Sequence, residues 1–170
     1  MPAMAPEAAE RLVVLTMRML AATFAVVGLL FLVTPDGVIG RMDDVGGWFG
    51  DFSPGAETDQ RFWLGLGFAY MTVITGIALV VSLDVVRYRP LLLVLAAGKA
   101  ASSLTTGAFF LFDDDVFVYL LNFLVDGSLV GTALLCWSLA GRVEAAGPFA
   151  TPGSASGPAS PSGPASPAPG

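Results

Sequence analysis

The chain has 170 residues and a formal net charge of -6, with 55% hydrophobic residues and only 13% charged ones. Soluble domains carry about 25% charged residues, so the deficit points to lipid as the solvent, in line with a mean hydropathy of +0.74. The acids are concentrated in a few loops and there is no basic stripe, which argues against a nucleic-acid partner.

The chain has no histidine, which removes the commonest general base, metal ligand and axial haem ligand. The one cysteine, Cys136, lies inside an apolar run. Its count excludes an internal disulfide and a thiolate metal cluster, and its setting reads as that of a small buried hydrophobe. No cofactor or metal is expected. Heavy use of Ala, Gly and Pro beside a single lysine suggests a GC-rich bacterial genome.

Four apolar runs are each near the ~20 residues that cross a bilayer. They span about 12–33, 62–83, 91–112 and 116–140. Pro35 and Gly37 end the first, Asp84 ends the second, and Pro90 sits where a helix start tolerates a missing N–H. Asp113, Asp114 and Asp115 divide the third from the fourth, which Gly141 and Arg142 end. The first run is longer than a signal-peptide core, has an acidic rather than basic start and no A-x-A site, so it reads as a retained helix. The predicted fold is all-α: an integral membrane four-helix bundle in residues 1–146. A tail over 147–170, rich in Gly, Pro, Ser and Ala with SGPASP twice in succession, is expected to be disordered.

Orientation follows the Lys/Arg bias of short loops. Arg11, Arg18, Arg87, Arg89 and Arg142 mark the cytoplasmic side, and both termini with it. The Asp113–Asp115 link has no basic residue and reads as external. So does the long stretch from Thr34 to Arg61, where Arg41 is outnumbered by Asp36, Asp43, Asp44, Asp51, Glu57 and Asp59. This stretch reads as a solvated acidic loop without EF-hand spacing, with Trp48, Phe49 and Phe52 at the membrane interface. The expected location is the bacterial cytoplasmic membrane.

Lys99 carries the sharpest signal, because it is the only lysine and falls inside the third run. At ~1.5 Å per residue it lies roughly 12 Å from the inner end of its helix, and Asp126 lies about 15 Å from the outer end of the next. Both depths are near the middle of a ~30 Å core. A tight link makes the two helices antiparallel neighbours, so an ion pair is expected. Lys99, Ser102, Ser103 and Thr106 share one helix face, and Asn122 and Asp126 share another, giving two polar stripes that line one core. Arg18 has two readings: snorkelling to the cytoplasmic interface, or joining that core. Gly127 and Gly131 form a GxxxG, and Gly65, Ala69, Thr72 and Gly76 form a small-residue stripe expected to pack within the chain.

TPDGVIG before a long first external loop, RFWLGLGFAYM, GKAASSL and NFLVDGS stand out as motif-like segments. With the helix count and the short later links, residues 10–140 resemble the small bacterial four-helix membrane proteins of the DoxX-like kind. The resemblance implies that fold and an accessory or small-solute role, and it supplies no catalytic residue.

Three functions stay open. The polar core binds a small solute, ion or proton, since charge at the bilayer centre is expensive and marks function by default. The chain is instead an accessory or scaffold subunit, partnered by another membrane protein or a second copy. Third, it is an intramembrane enzyme, against which stands the absence of a nucleophile–base pair or phosphate loop. Transporters with polar sites at mid-membrane commonly break their helices there, and none of these runs holds an internal proline.

Overall fold

A computed structural model describes residues 4–55 and 61–147, so the tail beyond Gly147, and Glu57 and Asp59 of the acidic stretch, lie outside the described residues. Five helices follow in order: α1 (Pro6–Val33), α2 (Pro35–Gly46), α3 (Arg61–Leu83), α4 (Pro90–Phe112) and α5 (Phe117–Ala145). α1, α2 and α4 each have proline in the first turn, where the fixed φ suits a helix and the missing N–H has no intrahelical partner anyway. Four of the five, α2 excepted, are long and apolar enough to cross a membrane. This supports a multi-pass membrane protein.

The spans differ from the sequence expectation mainly at their ends. α1 begins at Pro6, well before Leu12, and α5 continues past Gly141 and Arg142 to Ala145. A larger difference is α2, a helix in what reads from sequence as a plain acidic loop. Pro35 and Asp36 give it a start, and Gly46 lets it end against α5: a Cβ there would come within 2.7 Å of the Phe117 ring.

The segment after α2 folds back onto the α4–α5 link. Ser53 N donates to Asp115 O at 3.3 Å and Ser53 Oγ to Asp115 Oδ1 at 2.7 Å, while Gly55 N donates to Asp43 Oδ2 at 3.0 Å. Phe52 packs on Phe110 and Phe117, and Phe49 stacks on Phe117. Trp48 and Phe49 stay largely exposed.

α1 packs chiefly with α3 and α4 with α5, and a lesser α1–α5 seam joins the two pairs. An apolar core fills the end of the bundle near the Asp84–Arg89 turn. Val13 and Met17 of α1, Ala78 and Val81 of α3, Leu92 of α4 and Ala140 of α5 are buried there. At the same end Arg89 clamps α4 to α5. Its Nε donates to Trp137 O at 3.1 Å, its guanidinium lies 4.3 Å from the Trp137 ring centroid, and Nη1 meets Glu144 at 2.6 Å.

The α3 stripe does not pack within the chain as expected. Gly65, Ala69 and Thr72 are exposed, and a Cβ at Gly65 or Gly76 would meet nothing within 4 Å. α3 instead turns Ile74, Ala78 and Val81 inward, on nearly the opposite face. Close approach to α1 is achieved by Gly28 of α1, where a Cβ would fall 2.9 Å from Met71 Cβ.

Candidate binding site at the Lys99–Asp126 pair

Helical periodicity places Lys99 on the same side of α4 as Leu92, Leu95, Ala96 and Ser103, all buried. Asp126 is the buried residue of the facing α5 turn. Lys99 Nζ donates to Asp126 Oδ1 at 3.0 Å, and the two side chains are only 2% and 5% exposed. Two rings complete the ammonium's surroundings. The Phe24 centroid lies 4.7 Å from Nζ and the Tyr70 centroid 5.5 Å, both within the range of cation–π attraction. α1 and α3 thus each supply an aromatic face to a charge pair carried by α4 and α5.

The remaining polar residues stack toward the α2 end. Asn122 Nδ2 donates to Ser102 Oγ at 3.2 Å and to Thr106 Oγ1 at 3.1 Å. Thr106 Oγ1 is also within 3.0 Å of Ser102 O and 3.2 Å of Ser103 O, so its proton stays on its own helix. Ser103 Oγ crosses to α5 and donates to Phe123 O at 2.8 Å. Lys99, Asp126, Asn122, Ser102, Ser103 and Thr106 therefore form one hydrogen-bonded α4–α5 interface. Arg18 is not brought into it. The buried stripe of α1 runs through Met17, Ala21, Phe24 and Gly28, and Arg18 lies about 100° round the helix from Met17, exposed.

Beside the pair lies a cavity of about 280 Å³, lined by Lys99, Asn122 and Asp126 on one side. Phe24, Val27 and Phe31 of α1, Leu121 and Val125 of α5, Met71 of α3 and Met42 of α2 form apolar walls. The volume is close to the lower end of the ~300–1,000 Å³ typical of small-molecule pockets. Such pockets combine apolar walls with a few convergent polar groups, which is the composition here.

Sequence reasoning missed the contributions of Phe24, Tyr70 and Met42. Each depends on the register between helices distant in the chain, and no local pattern marks them. Among the described residues no three His, Cys, Asp or Glu side chains converge to hold a metal ion. Compared with protein-family models, with curated proteins and with solved structures, the chain matches none of them.

Proposed function

We propose that this chain is a multi-pass protein of a bacterial cytoplasmic membrane, of the DoxX-like kind, with both termini cytoplasmic. In this reading its polar core binds a small solute, ion or proton. The observation that carries the proposal is the juxtaposition of a buried Lys99–Asp126 ion pair with a cavity that both residues line. A purely architectural pair is best enclosed by packed side chains on all sides. This one is almost fully buried, yet both of its residues also line a cavity. A charge at the bilayer centre costs at least about 2.5–3.5 kcal/mol, and a ligand-binding or proton-relay role gives a reason to keep two.

The test is native mass spectrometry of the full chain released from nanodiscs, beside the Lys99→Met/Asp126→Leu double variant. A bound mass on the wild type that is lost in a folded double variant supports the reading. A wild type with no bound mass, and with a melting temperature unmoved by a panel of solutes and by pH, overturns it.

A second reading is an accessory subunit. It is favoured by the small-residue face of α3, which lies open along Gly65, Ala69 and Thr72 and is of the type that lets helices approach closely in lipid. Stoichiometric co-purification of another membrane protein from mild detergent would support it, and a lone chain would count against it.

A further inference from the structure

Two acceptors of the site are unused. Asp126 accepts from Lys99 through Oδ1, and no hydrogen bond from the described residues reaches Oδ2. Asn122 spends both amide protons on α4 hydroxyls, which leaves its carbonyl oxygen without a donor among the described residues. The one sealed side-chain oxygen without a partner among the described residues is Asp43 Oδ1. Asp126 Oδ2 and Asn122 Oδ1 therefore each keep some accessible surface, and both residues line the cavity. They stand i, i+4 on α5, so the two acceptors lie one helical turn apart on one face.

The charge balance narrows what they can receive. Asp126 is already neutralised by Lys99, so an added cation would meet the ammonium and an added anion the carboxylate. A neutral O–H donor meets neither objection. The walls narrow the rest of the molecule, because Phe24, Val27 and Phe31 face Leu121 and Val125 across the α1–α5 seam. Of these Val125 is 47% exposed, so the rim opens sideways onto the surface that α1 and α5 turn to lipid.

Resting on the solute-binding reading above, we propose that the cavity takes an apolar molecule with a hydroxyl head, an alcohol or phenol. It enters from the bilayer between α1 and α5, and its O–H donates to Asn122 Oδ1 or Asp126 Oδ2. The head lies against the ion pair and the body lies along the Phe24–Phe31 face of α1.

The probe is a diazirine-bearing octanol, with the diazirine-bearing octane that lacks the hydroxyl as control. Each is photolysed with the full chain in nanodiscs, and labelled peptides are mapped by mass spectrometry. The alcohol should label the Thr23–Phe31 and Val118–Leu129 segments about fivefold more than the hydrocarbon, the ratio expected for one net hydrogen bond. Leu121→Trp, which fills the cavity, should abolish that excess, and Val125→Trp at the rim is the second variant should the first not fold. Asn122→Leu should reduce it several-fold. Equal labelling by the two probes overturns the hydroxyl assignment while leaving solute binding standing. So does a bound mass that proves hydrophilic or charged. Labelling that survives both tryptophan variants places the probe in bulk lipid and overturns the site itself.

Discussion

Removing one member of the Lys99–Asp126 pair should destabilise the fold far more than removing both. The contact is 3.0 Å with side chains 2% and 5% exposed, so both charges are almost wholly withdrawn from solvent. At that separation an effective dielectric near 20 gives an attraction of about 5 kcal/mol. Desolvation of the two ions offsets much of this, which is why replacing a buried pair with apolar residues is often neutral. Breaking it leaves an uncompensated charge and typically costs about 3–5 kcal/mol. Lys99→Met strands Asp126 beside an apolar cavity. Asp126→Leu strands Lys99, though Phe24 and Tyr70 at 4.7 and 5.5 Å soften that loss. Lys99→Met should therefore be the more damaging single variant. Thermal unfolding in detergent of the wild type, both singles and the double gives the coupling. The expected outcome is a double variant more stable than the sum of the singles by at least about 2 kcal/mol, well outside the additivity error of about 0.5 kcal/mol. Additive losses would refute the reasoning, since two charges held at 3.0 Å cannot be desolvated and packed independently.

Gly46→Ala should push α2 off Phe117, because its Cβ would fall 2.7 Å from the base of that ring. Overpacking of this kind costs about 1–3 kcal/mol, and limited proteolysis between Trp48 and Gly55 should accelerate, with Phe117→Leu restoring resistance. Arg89→Ala should cost about 1–2 kcal/mol in the same melts, since it removes a hydrogen bond to Trp137 O and a stacked cation. Glu144→Ala should cost about 0–1 kcal/mol, because that carboxylate is 53% exposed and exposed ion pairs contribute little. Equal losses would mean that the salt bridge, rather than the stack on Trp137, holds the clamp. Reporter fusions at Arg87 and after Gly147 should both report cytoplasm, and a periplasmic signal from either would reverse the orientation.

The spans are legible because burying backbone in lipid demands a helix of about 20 apolar residues, and nothing in the sequence interrupts four such runs. The pair is legible for a related reason. A short link forces α4 and α5 to be antiparallel, so depth along each helix can be read by counting residues, and Lys99 and Asp126 come out level. The same counting fails for contacts between helices far apart in the chain. Phe24 and Tyr70 reach Lys99 only through the packing of α1 on α3, whose register is set by Gly28 fitting Met71. Small residues mark a possible close approach but do not name the helix that makes it, which is how the α3 stripe comes to face outward. α2 is a different case. Its composition of Gly and Asp is poor for a helix, so the hydrophobic pattern is silent there. Pro35 and Asp36 are nonetheless a helix start with an acid in the first turn.

The register of α4 against α5 does not depend on the ion pair. Arg89 ties the lower turns to Trp137 O and Glu144. Ser103 Oγ donates to Phe123 O, and Gly107 admits the Phe123 ring, which a Cβ there would meet at 2.7 Å. Asn122 bridges two hydroxyls of α4 on the same stretch. These contacts, spread over both halves of the helix pair, already exclude a slip of one turn, because each would lose its partner. A buried charge pair added to such a seam is redundant as a register device, and apolar residues of similar size would fill the place at least as stably. What apolar residues would not supply is a buried charge pair carried by two residues that line the cavity beside α1 and α5. That asymmetry favours a working pair over an architectural one, and it makes the double variant the decisive protein: stable, in register, and without the site.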